Sequence, residues 1–224
     1  GSLTTSKQEL EQIWSTGEYD YIWIDSQHTL YSEEQMVRYC ADAEELGIDV
    51  QLRIPHTRHA YLVGRFLDLG FSAVLVPEVM EPEIIDDAIA YAYYGPIGRR
   101  SWGGGGRRGL QGEAKGMDRH AYAAWWNDYV VLAIQVESVE AVTNIRKLAK
   151  LGVNVVTFGP NDLSFSLEDH PEYPLRTVDD CMRNVAEHLQ DTDIRLAMGT
   201  PTQPAERDKY LEMGVTLFQA DAPA

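Results

Sequence analysis

Two carboxylates stand where long apolar runs end. Val130-Val131-Leu132-Ala133-Ile134-Gln135-Val136 closes on Glu137, and Val155-Val156-Thr157-Phe158 leads through Gly159-Pro160-Asn161 to Asp162. Each run is continuous and β-rich, the pattern of a strand covered on both faces. Val139 to Lys150 reads as a helix between them. The three make a strand–helix–strand crossover, which is right-handed and leaves its strands parallel and adjacent. Glu137 and Asp162 then emerge on one face of a sheet, placed to chelate one hard divalent cation through oxygen. The competing reading is that each acid only caps the following helix, since Asp is a favoured N-cap and helix starts attract negative charge. The same end-of-strand rule picks out Asp25-Ser26-Gln27-His28 after Tyr21-Ile22-Trp23-Ile24, and Arg53 after Val50-Gln51-Leu52. Parallel α/β folds gather their chemistry at such C-terminal strand ends.

The elements that must position these residues alternate along the chain. Ser6 is a plausible N-cap for a helix from Lys7, and Ser32-Glu33-Glu34 opens another that runs through Leu46 and closes on Gly47. Further helices are predicted over His59–Leu69, Glu81–Tyr91, Thr177–Gln190 and Pro204–Met213, with strands at Ala73–Val76, Ile194–Met198 and Val215–Gln219. Counting Gly1 to Thr5 as the tail of a first strand gives eight strands and a (β/α)8 TIM barrel, a single domain over 1–224. A doubly wound open sheet is the alternative if that first strand is absent. Between the fourth helix and the central strand, Gly95-Pro96-Ile97-Gly98-Arg99-Arg100-Ser101-Trp102 and Gly103 to Gly106 interrupt the rhythm. A loop this long is uncommon unless functional. With Arg107 and Arg108 it reads either as a positive lid over an anionic ligand or as a solvated basic loop. It lacks the strand context and Gly-Lys-Ser/Thr ending of a nucleotide loop. Trp102, Trp125 and Trp126 near it suggest either an acceptor pocket or a subunit contact, while Trp23 reads as core.

Composition narrows the partners. With 35 acidic against 19 basic residues, the net charge of −16 opposes nucleic acid and anionic membrane as partners. The longest apolar runs are strand-length and no basic-then-apolar leader is visible, so a soluble cytoplasmic protein is expected. Cys40 and Cys181 are too few for a disulfide framework and have no metal-ligand spacing, so both read as reduced and structural.

Taken together, Asp25 to His28, Leu52-Arg53, Gly95 to Arg99, Gln135-Val136-Glu137 and Gly159-Pro160-Asn161-Asp162-Leu163-Ser164 resemble the HpcH/HpaI aldolase family. That family comprises metal-dependent class II pyruvate aldolases, such as 4-hydroxy-2-oxoheptanedioate and 2-dehydro-3-deoxyglucarate aldolases. The resemblance implies a phosphoenolpyruvate/pyruvate-type barrel in which Glu137 and Asp162 bind Mg²⁺ or Mn²⁺. It implies that Arg53 holds the pyruvyl oxygen and that His28, oriented by Asp25, is the acid/base. Gln135 and the backbone of Pro160 and Asn161 are implied to contact the substrate. Pyruvate and an aldehyde would be the small-molecule partners, and a homo-oligomer, trimer or hexamer, the assembly. Citrate-lyase-type proteins share the motifs, so the alternative is a barrel that binds a 2-oxo acid or acyl-CoA, as a citrate-lyase-like lyase or without aldol turnover. Two departures stand out: Gln27 replaces the family's glutamate before the histidine, and both ends look trimmed.

Overall fold

The computed structural model describes residues 1–17, 19–103, 105–199 and 204–220. Seven strands form one parallel sheet in chain order: β1 Ile22–Asp25, β2 Val50–Arg53, β3 Ala73–Val76, β4 Val131–Val136, β5 Val155–Phe158, β6 Arg195–Gly199 and β7 Val215–Gln219. Helices follow the strands: α1 Lys7–Trp14 comes first, then α2 Glu33–Glu45, α3 Val63–Leu67, α4 Pro82–Ala92, α5 Arg119–Tyr129, α6 Val139–Thr143, α7 Ile145–Leu148, α8 Pro160–Asp169, α9 Val178–Leu189 and α10 Pro204–Glu212. A sheet whose neighbours are always consecutive in sequence curls in one direction, and the architecture is that of a (β/α)8 barrel.

The expected first strand does not form. Ser2 and Thr4 bond to each other through their hydroxyls at 2.8 Å, and Thr5 N–H donates to Ser2 O at 3.1 Å, closing a turn. Short hydroxyl side chains offer the backbone this local alternative to a ladder. Only Gly1 reaches β1, donating to Trp23 O at 2.8 Å, while Leu3 is buried beneath. The sheet is therefore open between β1 and β7 among the described residues.

Strand alternation divides the core in two. Leu75, Ala133, Val155 and Ala197 face the barrel interior as one small cluster, with Val131 and Leu217 against it. Ile24, Leu52, Val74, Leu132, Ile134, Val156 and Phe158 point outward into the large layer between sheet and helices. This fixes which strand residues can reach the interior: the set that includes Asp25, Arg53 and Gln135. Cys40 and Cys181 are both free and buried in the outer layer. No helix among the described residues is long and apolar enough to cross a membrane.

Local capping sets where helices begin. Ser6 and Ser32 each make a capping box, with Glu9 and Gln35 respectively. The predicted helix after Glu137 forms as two short pieces broken at Asn144. The predicted helix over His59–Leu69 is a 3-10 turn over Thr57–Leu62 followed by α3. Helix α8 has no bounds legible in the sequence, only a place after Asp162 in the capping reading; it starts at Pro160, and proline at the first helical position is pre-organised for a helix.

The arginine-rich loop is no lid. Arg100, Arg107 and Arg108 are buried, the first two against aromatic rings and Arg108 paired with Asp49 at 3.3 Å. The Arg100 guanidinium lies 4.2 Å from the Trp126 ring centroid and donates to Asp68 at 2.7 Å, and that of Arg107 lies 4.1 Å from Trp102. Trp102, Trp125 and Trp126 belong to the same intramolecular stack with Tyr94, Tyr122 and Tyr129. Arg99 is exposed over Tyr91. Four rings, Tyr94 and Trp126 beside Arg100 and Trp102 and Tyr122 beside Arg107, outweigh the pull of solvent on the charge of these two guanidiniums. Gly104, within the predicted glycine run, and Asp221 to Ala224 at the chain end lie outside the described residues.

Candidate active site

The C-terminal ends of β1, β2 and β4 bring four of the singled-out side chains into one hydrogen-bonded chain. Asp25 and Arg53 are direct partners in the β1–β2 register. Arg53 Nε donates to Asp25 Oδ1 at 2.8 Å and its Nη2 to Oδ2 at 2.6 Å, a bidentate pair with side chains only 11% and 17% exposed. The third nitrogen, Nη1, reaches Gln135 Oε1 at 3.4 Å. Gln135 in turn donates through Nε2 to Glu137 Oε2 at 2.6 Å. The other Glu137 oxygen, Oε1, accepts the backbone N–H of Glu78 at 2.8 Å.

Neither acid is the N-cap residue of the helix beside it. The N-cap after Glu137 is Ser138, whose hydroxyl accepts from Ala141 N–H. The N-cap before α8 is Gly159, which has no side-chain cap bond, and Asp162 sits in the first turn of that helix. Burial pushes the Glu137 carboxyl up to about 7. The Glu78 N–H and Arg53 oppose that rise, and the negative charges of Asp162 and Glu78 add to it. A buried carboxylate near a second carboxylate is short of positive charge, and a divalent cation bound through oxygen would supply it. Gly159 keeps the space open: a Cβ there would come within 2.3 Å of Glu137 Oε2 and 2.7 Å of Gln135 Nε2. The donor set thus fits one hard cation held by two protein carboxylates, its remaining positions left to water and substrate. Among the described residues no group of three or more His, Cys, Asp or Glu side chains makes a complete protein cage.

Asp25 has a different partner from the one expected. Its oxygens are taken by Arg53 and by the backbone N–H of Gln27 at 2.9 Å. Burial works to raise its pKa, but the Arg53 bonds and the backbone N–H groups of Gln27 and His28 outweigh it and hold the carboxyl below its usual range. The acid therefore fixes the guanidinium and the backbone of the 25–28 turn, not the imidazole. His28 itself is exposed at the rim, as are Asn161 and Asp162, with Pro160 half-buried. Gln27 carries a buried Oε1 without a partner among the described residues.

Three residues of the site were not singled out from sequence. Trp23, expected in the core, instead lies under Arg53, its ring centroid 5.1 Å from the guanidinium carbon. It precedes Asp25 by two in a strand, so a period of two places both on one face. Glu78 lies two residues past the end of β3, and its backbone takes φ +52°, unusual outside glycine. Gly159 was quoted as part of a motif with no steric role given to it.

A curled parallel sheet with a carboxylate–arginine–amide chain at its C-terminal mouth has the architecture of an α/β-barrel enzyme. The chain belongs to the HpcH/HpaI aldolase/citrate lyase family, whose model matches residues 3–220. It is similar to a hydroxypyruvate/pyruvate aldolase of Sagittula stellata, 28% identical over 174 residues that cover 76% of this chain and 66% of the relative. A 2-keto-3-deoxy-L-rhamnonate aldolase of Klebsiella pneumoniae is also 28% identical, over 82% of this chain and 68% of the relative. The chain thus spans about two thirds of the length of these curated relatives. Among solved structures, an HpcH/HpaI aldolase from Desulfitobacterium hafniense superposes with a TM-score of 0.80 at 26% identity, covering 97% of this chain and 83% of that one.

Proposed function

We propose that this protein is a divalent-metal-dependent aldolase that cleaves or forms the carbon–carbon bond of a 4-hydroxy-2-oxo acid through a pyruvate enolate. The observation that carries the reading is the unbroken chain from Asp25 through Arg53 and Gln135 to Glu137 at one end of the barrel. Such a chain holds a cation in a fixed direction before any substrate arrives, and preorganised donors act most strongly where charge develops. Glu137 and Asp162 would hold Mg²⁺ or Mn²⁺, which when bound acts as a Lewis acid toward the keto oxygen of the 2-oxo acid. Arg53, held flat over Trp23 by Asp25, meets the negative charge that appears on that oxygen as the C3–C4 bond breaks. Gln135 ties the guanidinium to the carboxylate pair, so both respond to one substrate. The N-terminal turn of α8 begins at Pro160, which has no N–H, and offers the free backbone N–H groups of Asn161 and Asp162 to the substrate carboxylate. In cleavage His28 takes the proton of the 4-hydroxyl, the aldehyde leaves, and the enolate carbon C3 accepts a proton to give pyruvate.

Pyruvate release from a panel of 4-hydroxy-2-oxo acids, measured with Mg²⁺ or Mn²⁺ and again with chelator, tests the reading. Release that depends on the ion and disappears in Asp162→Ala is the expected result. Release of the same size in chelator would overturn the metal dependence, and none from any 4-hydroxy-2-oxo acid would overturn the aldolase assignment.

A further inference from the structure

We propose that Glu78 selects the aldehyde: its carboxylate, in the pocket it lines beside the carboxylate pair, takes the hydroxylated tail of a neutral acceptor and turns away an acidic one. The inference rests on the aldolase reading and adds to it the residue that chooses the second substrate. Glu78 has two faces. Its backbone N–H donates to Glu137 Oε1 at 2.8 Å, and its side chain lines a pocket of about 230 Å³ with His56, Thr57, Arg58, Met80 and Ile84. Both loops that wall this pocket follow strands, β2 and β3, so it opens at the same end of the barrel as Arg53 and Glu137.

The lining states what the pocket accepts. Met80 and Ile84 offer an apolar flank to a carbon chain. Arg58, the one cation, is 3.9 Å from Glu81, which also lines the pocket. With that pair offset, Glu78 leaves the pocket negative. A carboxylate-bearing tail meets repulsion there, whereas vicinal hydroxyls can donate to Glu78. The backbone of Glu78 is left-handed, at φ +52°, where its N–H donates to Glu137.

The test measures kcat/KM for condensation of pyruvate with glyceraldehyde, acetaldehyde and succinic semialdehyde on the purified protein. The wild type should prefer glyceraldehyde to succinic semialdehyde by about tenfold or more, since juxtaposed like charges suppress the wrong partner. Glu78→Asn, a residue that tolerates left-handed backbone, should lower the glyceraldehyde-to-acetaldehyde ratio about tenfold. Glu78→Lys should shift preference toward succinic semialdehyde. Ratios are read because they are insensitive to general damage at Glu137. Unchanged ratios in both variants, with wild-type deuterium exchange at pyruvate C3 intact, would overturn the role of Glu78 alone. Absence of that exchange with Mg²⁺ and with Mn²⁺ would overturn the enolate reading and this inference with it.

Discussion

Arg53 shows how much one side chain can be constrained by its neighbours. Three of its nitrogens are spoken for, two by Asp25 and one by Gln135, and its flat face rests on Trp23. A lysine would keep the charge but lose the planar fork, the bidentate pair and the stacking. Turnover of a 4-hydroxy-2-oxo acid in Arg53→Lys should therefore fall about 10²-fold or more, the scale for losing one preorganised donor to a developing oxyanion. Steady-state kinetics checks this, and near-normal turnover would remove the arginine from the reaction. The pairing was only half legible beforehand. That Asp25 and Arg53 both end strands is readable from the apolar runs, and this puts them at one mouth. That they face each other in register depends on the stagger between β1 and β2, which no local pattern encodes. So Asp25 was expected to orient His28, three residues away, while its actual partner lies across the strand.

At the scale of elements, strands were the easiest to read because burial on both faces leaves an uninterrupted apolar signature. The arginine loop shows the opposite case. Four arginines among glycines look solvated when only their own segment is considered. Three are buried: α5, later in the chain, brings rings over Arg100 and Arg107, and Asp49 pairs with Arg108. The bounds of helix α8 are illegible for a related reason: its first turn carries Pro160, Asn161 and Asp162, residues equally at home in a loop. The join between β5 and α8 also yields a prediction. Gly159 has φ −104°, a backbone any residue can adopt, so substitution there acts only through space. An added methyl would collide with Glu137 Oε2 and Gln135 Nε2. Gly159→Ala should weaken Mg²⁺ or Mn²⁺ binding at least about tenfold by calorimetry, as expected when a supporting contact of a metal site is disturbed. An unaltered affinity would show that Glu137 has room to move aside.

For the whole molecule, the net charge of −16 and the buried Glu137 act in the same direction. Self-repulsion among excess carboxylates opposes compaction, and monovalent salt relieves it by screening. Glu137 adds a local version of the same cost. Its folded pKa, about 7, stands above the ordinary carboxylate value it regains on unfolding. A group raised in this way contributes stability that is complete below the unfolded pKa and is lost as pH rises through the folded one. The metal-free protein should accordingly lose stability between about pH 4.5 and 7, at no more than about 1.4 kcal/mol per pH unit from this one proton. Glu137→Gln should flatten that slope. A divalent ion that binds only the folded state adds RT ln(1 + [L]/Kd), about 2.7 kcal/mol at a hundredfold excess over Kd. At pH 7.5, Mg²⁺ or Mn²⁺ should therefore raise the melting temperature in a saturable way, beyond what sodium chloride of equal ionic strength achieves. In Glu137→Gln only the screening part should remain. A divalent effect equal to the monovalent one in the wild type would mean that the carboxylate pair answers the molecule's overall charge and not a specific ion.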